Sequence, residues 1–565
     1  MGRALRLVGL PLAIALALVI RLRATYSLDF DGLYGQDSFA YYYHALALWR
    51  DHALEYHWPW LPTPTRLYWP LGYPALLAVA FAAVGHASAH AAQTITMLCG
   101  LAVTALTYAL ALRMARTILP PLVSHAAAAC AAWLIACSGL QVQASTTIMS
   151  DAPALCWGMT ALWLWTDSRQ GMLPRTVTSF LAGVFLALAI STRYEYAPLI
   201  VAPAVYWWLA RRHADPASPS LPAGLIGAVL AGAPQLIYSA GYSSPVLNNE
   251  WLTGWRLTHL WQASFSTPDG VQHYAHSVGA FYLLRPLLAP ESLPWVLVPF
   301  LLLGLLALAW NCERRSFFWI IRTPGHAPQG TNDRLPGVDP PAPGRIDPAA
   351  IPRGGLPTIT GPTAASSGPW LGLPLAWWLA PTVYLIGVPF ESARFALIAQ
   401  PSLAMLEGFG LIWTVRFLSL HCLEYARIIM VMAIVWAACG LAIASANSTA
   451  PLTVLAQGKA SDQAAVTWVK LHAPSGSAIA TFDLTLTLYH YGNLEDRRSR
   501  LFDLSALDAA DWAFLARAPR VLVIANVGNL ARQWHGMPPD QAFIRLVKER
   551  RLTPVAAAGV YTIYE

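Results

Sequence analysis

Long apolar runs recur along most of the chain, and they constrain its fold more than any other feature. A segment needs roughly 17 to 25 apolar residues to cross the hydrocarbon core of a membrane. Eleven segments meet or approach this length, namely 4–22, 91–112, 120–138, 152–166, 176–192, 196–210, 222–240, 292–311, 370–389, 395–415 and 428–446. Only 12% of the 565 residues are charged, where soluble domains carry about 25%. The sequence therefore predicts a polytopic α-helical membrane protein with about eleven transmembrane helices.

The charges of the chain fit a membrane protein better than a nucleic-acid-binding protein. The net charge is +7 at pH 7, but the arginines mostly flank apolar runs, and no basic stripe with stacking aromatic residues lies outside them. The first run lies between Arg3 and Arg6 on one side and Arg21 and Arg23 on the other, with no small-residue cleavage site. We therefore expect a retained first span, the lipid bilayer as a partner, and no nucleic acid.

The loop charges predict which way the chain faces. A short apolar segment, 71–85, carries Pro74. If this segment does not cross, every cytoplasmic loop is basic, as the positive-inside rule requires. The arginines concerned are Arg3, Arg6, Arg113, Arg116, Arg169, Arg175, Arg211, Arg212, Arg314, Arg315, Arg416 and Arg427. We expect 71–85 to be interfacial or re-entrant, the N-terminus to be cytoplasmic and the C-terminus to be extracytoplasmic. The preference for Ala and Arg favours a bacterial inner (plasma) membrane.

Two domains are expected, a transmembrane domain at 1–449 and a small extracytoplasmic α/β domain at 450–565. The transmembrane domain contains a first outer loop, 23–90, and a second outer loop, 241–291. It also contains a cytoplasmic loop, 312–369, whose Pro and Gly content predicts disorder. In the C-terminal domain, strand-like pieces at 478–482, 521–525 and 559–564 are accompanied by helical segments at 462–471 and 540–550.

Charged residues collect at the span ends that this topology places outside. They are Asp37, Asp151, Arg193, Glu195, Glu391 and Arg394. At a span end, a charge is as readily a snorkelling cap or a topology marker as a functional group. Because all of them converge on one membrane face, they are the candidates for chemistry.

Three motifs resemble the signature of a known enzyme family. The segment 37–49 is followed by Tyr68-Trp69-Pro70-Leu71-Gly72-Tyr73-Pro74-Ala75-Leu76-Leu77, and later come Ser150-Asp151-Ala152-Pro153 and Arg394-Phe395-Ala396-Leu397-Ile398-Ala399-Gln400-Pro401. In order, spacing and sidedness they are similar to motifs of the GT-C glycosyltransferases, especially the protein mannosyltransferase and aminoarabinose lipid A transferase group. The resemblance covers most of the chain and implies a GT-C membrane fold with an outer C-terminal domain.

The resemblance implies transfer of a sugar from a polyprenyl-phosphate carrier to a hydroxyl of a glycan, lipid or protein acceptor, usually with inversion. Asp37 matches the family's general base, which deprotonates the acceptor, and Asp151 would orient the acceptor or the base. Arginine binds phosphate through two parallel hydrogen bonds, which suits the departing carrier. The candidate substrate-binding residues are Arg394, Arg193, Glu391, Arg66, Arg256 and Tyr41.

The chain departs from the family at two positions and carries a weak metal motif. Gln36-Asp37 replaces the usual acidic pair, and Trp69-Pro70 stands where the lipid A transferase branch has Lys-Pro. Asp29-Phe30-Asp31 resembles a cation site of oligosaccharyltransferases, but carboxylates two apart without further ligands are more often solvated loop residues. Histidines that would have to assist it are His259, His273 and His276. We therefore expect no metal and no cofactor.

Two other classes of protein are alternatives. A secondary transporter would have a similar number of spans, but transporters usually show two related halves and polar or broken helices at mid-membrane. The sequence has no internal repeat, and its spans are nearly free of charge. The other alternative is a catalytically inactive envelope-assembly protein, which would share every motif above.

Overall fold

The computed structural model describes residues 2–66, 69–167, 173–212, 218–241, 254–267, 270–321, 368–421, 423–494 and 497–565. The helices of the membrane part and its outer loops are α1 (Gly2–Ser27), α2 (Gly35–Leu46), α3 (Gly72–Val84), α4 (Ala89–Arg116), α5 (Pro121–Cys137), α6 (Gly139–Thr146), α7 (Asp151–Thr166), α8 (Arg175–Thr192), α9 (Val201–Arg212), α10 (Leu221–Gly241), α11 (Val278–Leu288), α12 (Val298–Ile321), α13 (Gly368–Ile386), α14 (Gln400–His421) and α15 (Ala426–Asn447). Two hairpins pair β1 (Glu55–Tyr56) with β2 (Thr65–Arg66) and β3 (Ser264–Thr267) with β4 (Gly270–His273).

Helices occupy all eleven segments that were predicted to span the membrane. By length and hydropathy, six helical stretches among the described residues can each cross a bilayer. A seventh crossing exists if α5 and α6, which meet at 60°, form one bent span. The chain is thus a multi-pass helical membrane protein, as the sequence predicts, and the count of eleven crossings stays a prediction.

The first helix is longer than predicted. We expected the span to end at residue 22, because arginines close the apolar run, but α1 continues to Ser27. Arg21 is fully buried, and its guanidinium donates to Ser145 Oγ at 2.7 Å and to the carbonyl oxygen of Ala17 at 3.0 Å. Arginine does not end the helix here, because acceptors inside the bundle take several of its hydrogen bonds. The first outer loop therefore begins at residue 28 rather than 23.

A second charged residue lies inside the membrane part, where we expected spans nearly free of charge. Glu407, two turns into α14, is 1% exposed. Neither of its carboxylate oxygens has a hydrogen-bond partner among the described residues. Its neighbour Gly408 packs α14 against the backbone of α5. A buried polar group without partners lowers stability, so Glu407 is a local weakness of the α5–α14 contact.

The short apolar segment 71–85 folds as α3 and stays on one side of the membrane part. Its 13 residues span about 20 Å, less than the roughly 30 Å of a hydrocarbon core. It begins against the C-terminal end of α8, where a Cβ at Gly72 would lie 2.5 Å from the carbonyl oxygen of Ser191. Helix α4 starts on the same side, since Gln93 Nε2 donates to the carbonyl oxygens of Phe30 and Thr146. α3 is thus too short to cross, and its assignment as an interfacial or re-entrant element stays a prediction.

Small residues bring α8 and α10 into close contact. A Cβ added at Gly183 of α8 would overlap the carbonyl oxygen of Gly224 in α10. About two turns after Gly224 along α10 the helices are less tightly packed, because a Cβ at Gly232 would meet only Ala187 Cβ, at an ordinary 3.8 Å. Close backbone approach of this kind is a main source of helix association in membranes, where apolar burial between helices gains little.

We expect Gly183→Ala to lower the free energy of unfolding by about 1–3 kcal/mol, the range for overpacking a close contact. Gly232→Ala on the facing helix is the matched control. It should be neutral or stabilising, because Ala favours a helix over Gly by up to about 1 kcal/mol. Thermal unfolding of both variants in one detergent measures the difference, and equal effects would contradict the close contact.

The predicted loops between spans are described in part. Helix α12 continues to Ile321, so the beginning of the loop 312–369, which we expected to be disordered, is helical instead. The apolar sequence Phe317 to Ile321 accounts for this extension. Residues 322–367 of that loop lie outside the described residues. In the second predicted outer loop, 241–291, the described residues form a short 3₁₀ turn, the β3–β4 hairpin and α11.

The C-terminal part folds as a five-stranded sheet with helices. Its elements are α16 (Ala450–His472), β5 (Ala478–Thr481), α17 (Thr485–Tyr491), β6 (Arg500–Asp503), α18 (Ala509–Arg517), β7 (Val521–Ala525), α19 (Val527–Gln533), α20 (Pro538–Arg550), β8 (Pro554–Ala558) and β9 (Tyr561–Tyr564). The strand order is β6-β5-β7-β9-β8, with β5 parallel to β6 and β7, and β9 antiparallel to β7 and β8. β5 and β7 are buried throughout, as central parallel strands usually are.

The first outer loop packs against the C-terminal part through aromatic side chains. Tyr43 Oη lies 2.9 Å from His490 Nδ1, and Tyr56 Oη lies 2.9 Å from Tyr489 Oη. These residues belong to one buried cluster that contains side chains of both parts. Helix α2 is therefore held between the membrane helices and α17 of the C-terminal part.

Candidate active site

A cavity of about 380 Å³ lies where the ends of several membrane helices meet the first outer loop. Its wall is formed by Tyr34, Gly35, Gln36, Asp37, Leu140, Gln143, Ala144, Thr147, Met149, Asp151, Phe390, Ser392, Arg394 and Leu455. These residues come from distant stretches of the chain. Three of the predicted site residues, Asp37, Asp151 and Arg394, are brought together on this wall.

Asp37 is positioned by the first turn of α2. Gly35 starts the helix with a φ of +73°, a backbone conformation that glycine adopts without strain. The amide of Tyr34 donates to Ser38 Oγ at 2.8 Å, and the Ser38 hydroxyl donates to the carbonyl oxygen of Tyr34 at 2.7 Å. The helix dipole favours an acidic side chain in this turn. These local contacts fix Asp37 at the edge of the cavity.

Arg394 forms an ion pair with Asp37 at the cavity wall. Its Nη2 donates to Asp37 Oδ2 at 2.8 Å, and the two side chains are 27% and 24% exposed. Arg394 lies in the 3₁₀ segment Ala393–Ile398, and its guanidinium is 5.6 Å from the centre of the Phe395 ring. Because both charges are accessible from the cavity, an anionic ligand can compete with Asp37 for the guanidinium.

A second ion pair lies deeper in the protein. Arg193 Nη1 donates to Asp151 Oδ2 at 3.3 Å and to Ser150 Oγ at 3.0 Å. Its Nε lies 3.5 Å from a carboxylate oxygen of Glu195. Asp151 is 3% exposed and Arg193 is 5% exposed. Two carboxylates engage Arg193, and it is not among the wall residues, so it supports Asp151. Its predicted role in binding substrate stays a prediction.

Tyr41 belongs to the same buried network. Its hydroxyl lies 3.0 Å from Ser150 Oγ, and the side chain is 2% exposed. Burial raises the pKa of Tyr41, which keeps the phenol neutral. The structure thus places this predicted substrate-binding residue behind the wall, where it helps to hold the Ser150–Asp151 turn.

Three other residues predicted to bind substrate are not on the wall. Arg66 pairs with Glu55 at 2.7 Å on the β1–β2 hairpin, and Arg256 is exposed in the second outer loop. Glu391 stands between the wall residues Phe390 and Ser392, and burial raises its pKa to about 7. The cavity therefore does not bring Arg66, Arg256 or Glu391 together with Asp37.

In the Asp29-Phe30-Asp31 motif, the carboxylate of Asp31 is engaged by protein groups. Asp31 accepts hydrogen bonds from Lys459 and Tyr491. Of the histidines considered with it, His259 has Nδ1 2.8 Å from the carbonyl oxygen of Gly387. Among the described residues, no group of three or more His, Cys, Asp or Glu is arranged to hold a metal ion.

The uncharged residues of the wall were not among the predicted site residues. Gln143 and Thr147 are four positions apart and therefore share one face of α6 and its end. The polar run that follows the apolar residues of α5, namely Gln141, Gln143, Ser145, Thr146 and Thr147, was a usable signal. No sequence signal identified Leu455 of α16, because a leucine in the C-terminal part has no feature that links it to this cavity.

Solved structures share this architecture over nearly the whole chain. ArnT from Cupriavidus metallidurans in the apo state aligns with 98% of this chain and 97% of its own, at 14% identity and a TM-score of 0.55. The oligosaccharyltransferase of Archaeoglobus fulgidus aligns with 93% of this chain and 70% of its own, at 13% identity and a TM-score of 0.52. This chain has the GT-C fold. The resemblance of its motifs to GT-C glycosyltransferases is thereby confirmed at the level of the fold.

Sequence comparison adds one family match to the GT-C fold. Residues 73–218 match the family described as dolichyl-phosphate-mannose-protein mannosyltransferase. The matched region includes Asp151 and Arg193 but ends before Arg394 and begins after Asp37. No curated protein matches the sequence.

Proposed function

We propose that this protein is a membrane glycosyltransferase that moves a sugar from a polyprenyl-phosphate carrier to an acceptor hydroxyl outside the membrane. The family match supports the donor class, because dolichyl-phosphate-mannose is a sugar on such a carrier. So does the ArnT structure bound to undecaprenyl phosphate, which aligns at 13% identity with a TM-score of 0.52. The acceptor is a glycan, lipid or protein. The basic loops support a bacterial inner membrane orientation with the N-terminus in the cytoplasm and the cavity outside.

The observation that carries the proposal is the Asp37–Arg394 pair on the cavity wall. A carboxylate can accept the proton of an attacking hydroxyl. A guanidinium can hold a phosphate through two parallel hydrogen bonds, and Arg394 is the one cationic side chain among the described wall residues. The cavity thus offers the two groups that sugar transfer from a phosphate carrier requires.

In the proposed reaction, the carrier phosphate first draws the guanidinium of Arg394 away from Asp37. Asp37 then accepts the proton of the acceptor hydroxyl while the hydroxyl oxygen bonds to the anomeric carbon. The bond from that carbon to the phosphate oxygen breaks, and Arg394 stabilises the negative charge left on the carrier. Asp151, held by Arg193, orients the acceptor or Asp37. Attack opposite the leaving group inverts the anomeric configuration.

The purified protein in detergent is tested with a panel of polyprenyl-phosphate sugars that differ in the sugar. It should release polyprenyl phosphate from one class of these donors. A membrane extract supplies the acceptor, and radiolabel on the sugar reports its transfer. Folding is verified in the same samples by thermal unfolding. Uptake of a solute into proteoliposomes without sugar transfer would favour the transporter alternative and contradict the proposal.

A further inference from the structure

Lys459 joins the first outer loop to the C-terminal part. Its Nζ donates to Asp31 Oδ1 and, at 3.1 Å, to Tyr491 Oη. Tyr491 Oη donates to the other carboxylate oxygen of Asp31 at 2.6 Å, and the amide of Leu33 donates to Oδ1 at 2.9 Å. The side chains of Asp31, Lys459 and Tyr491 close a ring between the loop, α16 and α17, which we call the loop clamp.

In the loop clamp, the partly buried charges of Asp31 and Lys459 are paired with each other, and Asp31 accepts further hydrogen bonds from Tyr491 and Leu33. Lys459 is 4% exposed, and its ammonium also lies 5.5 Å from the centre of the Phe30 ring. Burial alone would raise the pKa of Asp31, but Lys459 and the hydrogen bonds from Tyr491 and Leu33 hold that pKa below its ordinary value. Removing one partner of such a pair leaves the other charge buried and unpaired, which is strongly destabilising locally.

Helix α16 touches the loop again close to Asp37. The hydroxyl of Tyr34 packs against Gly458, where an added Cβ would overlap it. Tyr34 is the residue before α2, and its amide is bound to Ser38 in the first turn. One turn before Gly458, α16 also places Leu455 on the cavity wall. Gly458, the residue next to Lys459, thus contacts Tyr34, which lies three residues before Asp37.

Tyr491 touches the loop on the other side of Asp37. Phe39, two residues after Asp37, is 1% exposed, and its ring centre lies 6.2 Å from that of Tyr491 in an edge-to-face arrangement. Tyr491 therefore contacts both Asp31 and Phe39. The first turn of α2 is bracketed by contacts with the C-terminal part.

We propose that Lys459 and Tyr491 are positioning residues for Asp37, acting through Asp31, Tyr34 and Phe39 to hold the first turn of α2 at the cavity. The catalytic consequence rests on the proposed function, whereas the hold on α2 does not. A displacement of about 1 Å in a reacting group can lower a rate by about 10². The C-terminal part would thus contribute to catalysis without touching the substrate through either residue.

The test uses Lys459→Met, which removes the ammonium, and Tyr491→Phe, which removes one hydroxyl. In both full-length variants, hydrogen exchange of the α2 amides should be at least about tenfold faster than in the wild type. The kcat for sugar transfer should fall about 10- to 100-fold, while the donor KM stays within about twofold because Arg394 is untouched. The double variant Asp31→Asn, Lys459→Met removes both charges and should recover part of the lost kcat and exchange protection.

Arg500→Met is the control, because it breaks the Arg500–Asp511 pair, at 3.0 Å, within the C-terminal part. It should leave α2 exchange and kcat unchanged. Unchanged α2 exchange in Lys459→Met and Tyr491→Phe would overturn the loop clamp, and faster exchange with unchanged kcat would overturn the positioning role. If the wild type turns over no donor, the proposed function fails, and hydrogen exchange still decides whether the clamp holds α2.

Discussion

Asp37→Asn is expected to lower the kcat for sugar transfer by about 10²- to 10⁴-fold, the range for loss of a general base. Asparagine keeps the shape of the side chain and can still accept a hydrogen bond from Arg394, but it cannot take up a proton. The donor KM should change little, because the guanidinium that binds the phosphate stays in place. Steady-state kinetics with the donor that the wild type turns over, together with thermal unfolding, checks both expectations.

Asp51→Asn is the matched control for this variant. Asp51 lies at the end of the same helical stretch and pairs with Arg50 at 2.8 Å, but its side chain is exposed and off the cavity wall. It should keep the wild-type kcat. A folded Asp37→Asn protein with undiminished kcat would remove Asp37 from the mechanism and leave Asp151 as the other carboxylate on the wall.

Arg394→Gln is expected to lower kcat/KM for the donor by about 10- to 150-fold. The estimate follows from the roughly 1.5–3 kcal/mol that a hydrogen bond to a charged group contributes. Part of the loss should appear in KM, through the bound phosphate, and part in kcat, through the charge that develops on the leaving group. Arg394→Lys keeps the positive charge but loses the bidentate geometry. Its kcat/KM should therefore fall between that of the wild type and that of Arg394→Gln.

Arg66→Gln provides the comparison, because it removes an arginine of the first outer loop that pairs with Glu55 and is not among the wall residues of the cavity. An exposed pair of this kind contributes about 0–1 kcal/mol to stability. Its kcat/KM should match the wild type. Equal losses in Arg394→Gln and Arg66→Gln would indicate that the donor phosphate binds elsewhere on the outer face.

The membrane class could be predicted because hydropathy is a property of consecutive residues, and helices occupy the apolar runs. The element ends depend on distant partners. Arg21 did not end α1, because Ser145 accepts its hydrogen bond from far along the chain. Strands β6 and β8 were not predicted. β6 is short and charged at both ends. β8 begins with proline and is mostly alanine, and both residue types are poor strand formers. Their neighbours in the sheet impose the extended conformation.

The residues of the candidate site could be predicted from the sequence, but the ion pairs that they form could not. Asp37, Asp151 and Arg394 stand in recognisable motifs. The sequence does not show that Arg394 meets Asp37 while Arg193 is occupied by Asp151 and Glu195, because these partners are brought together by tertiary packing alone. For the same reason Lys459, in a helix of the C-terminal part, had no visible link to the first outer loop.

In the proposed reaction, the Asp37–Arg394 pair has a consequence for the order in which the substrates bind. An acceptor that enters the empty cavity meets a carboxylate already occupied by Arg394. A donor that enters first supplies the phosphate that competes for this guanidinium. The pair therefore favours an ordered mechanism, with the donor first and the acceptor second.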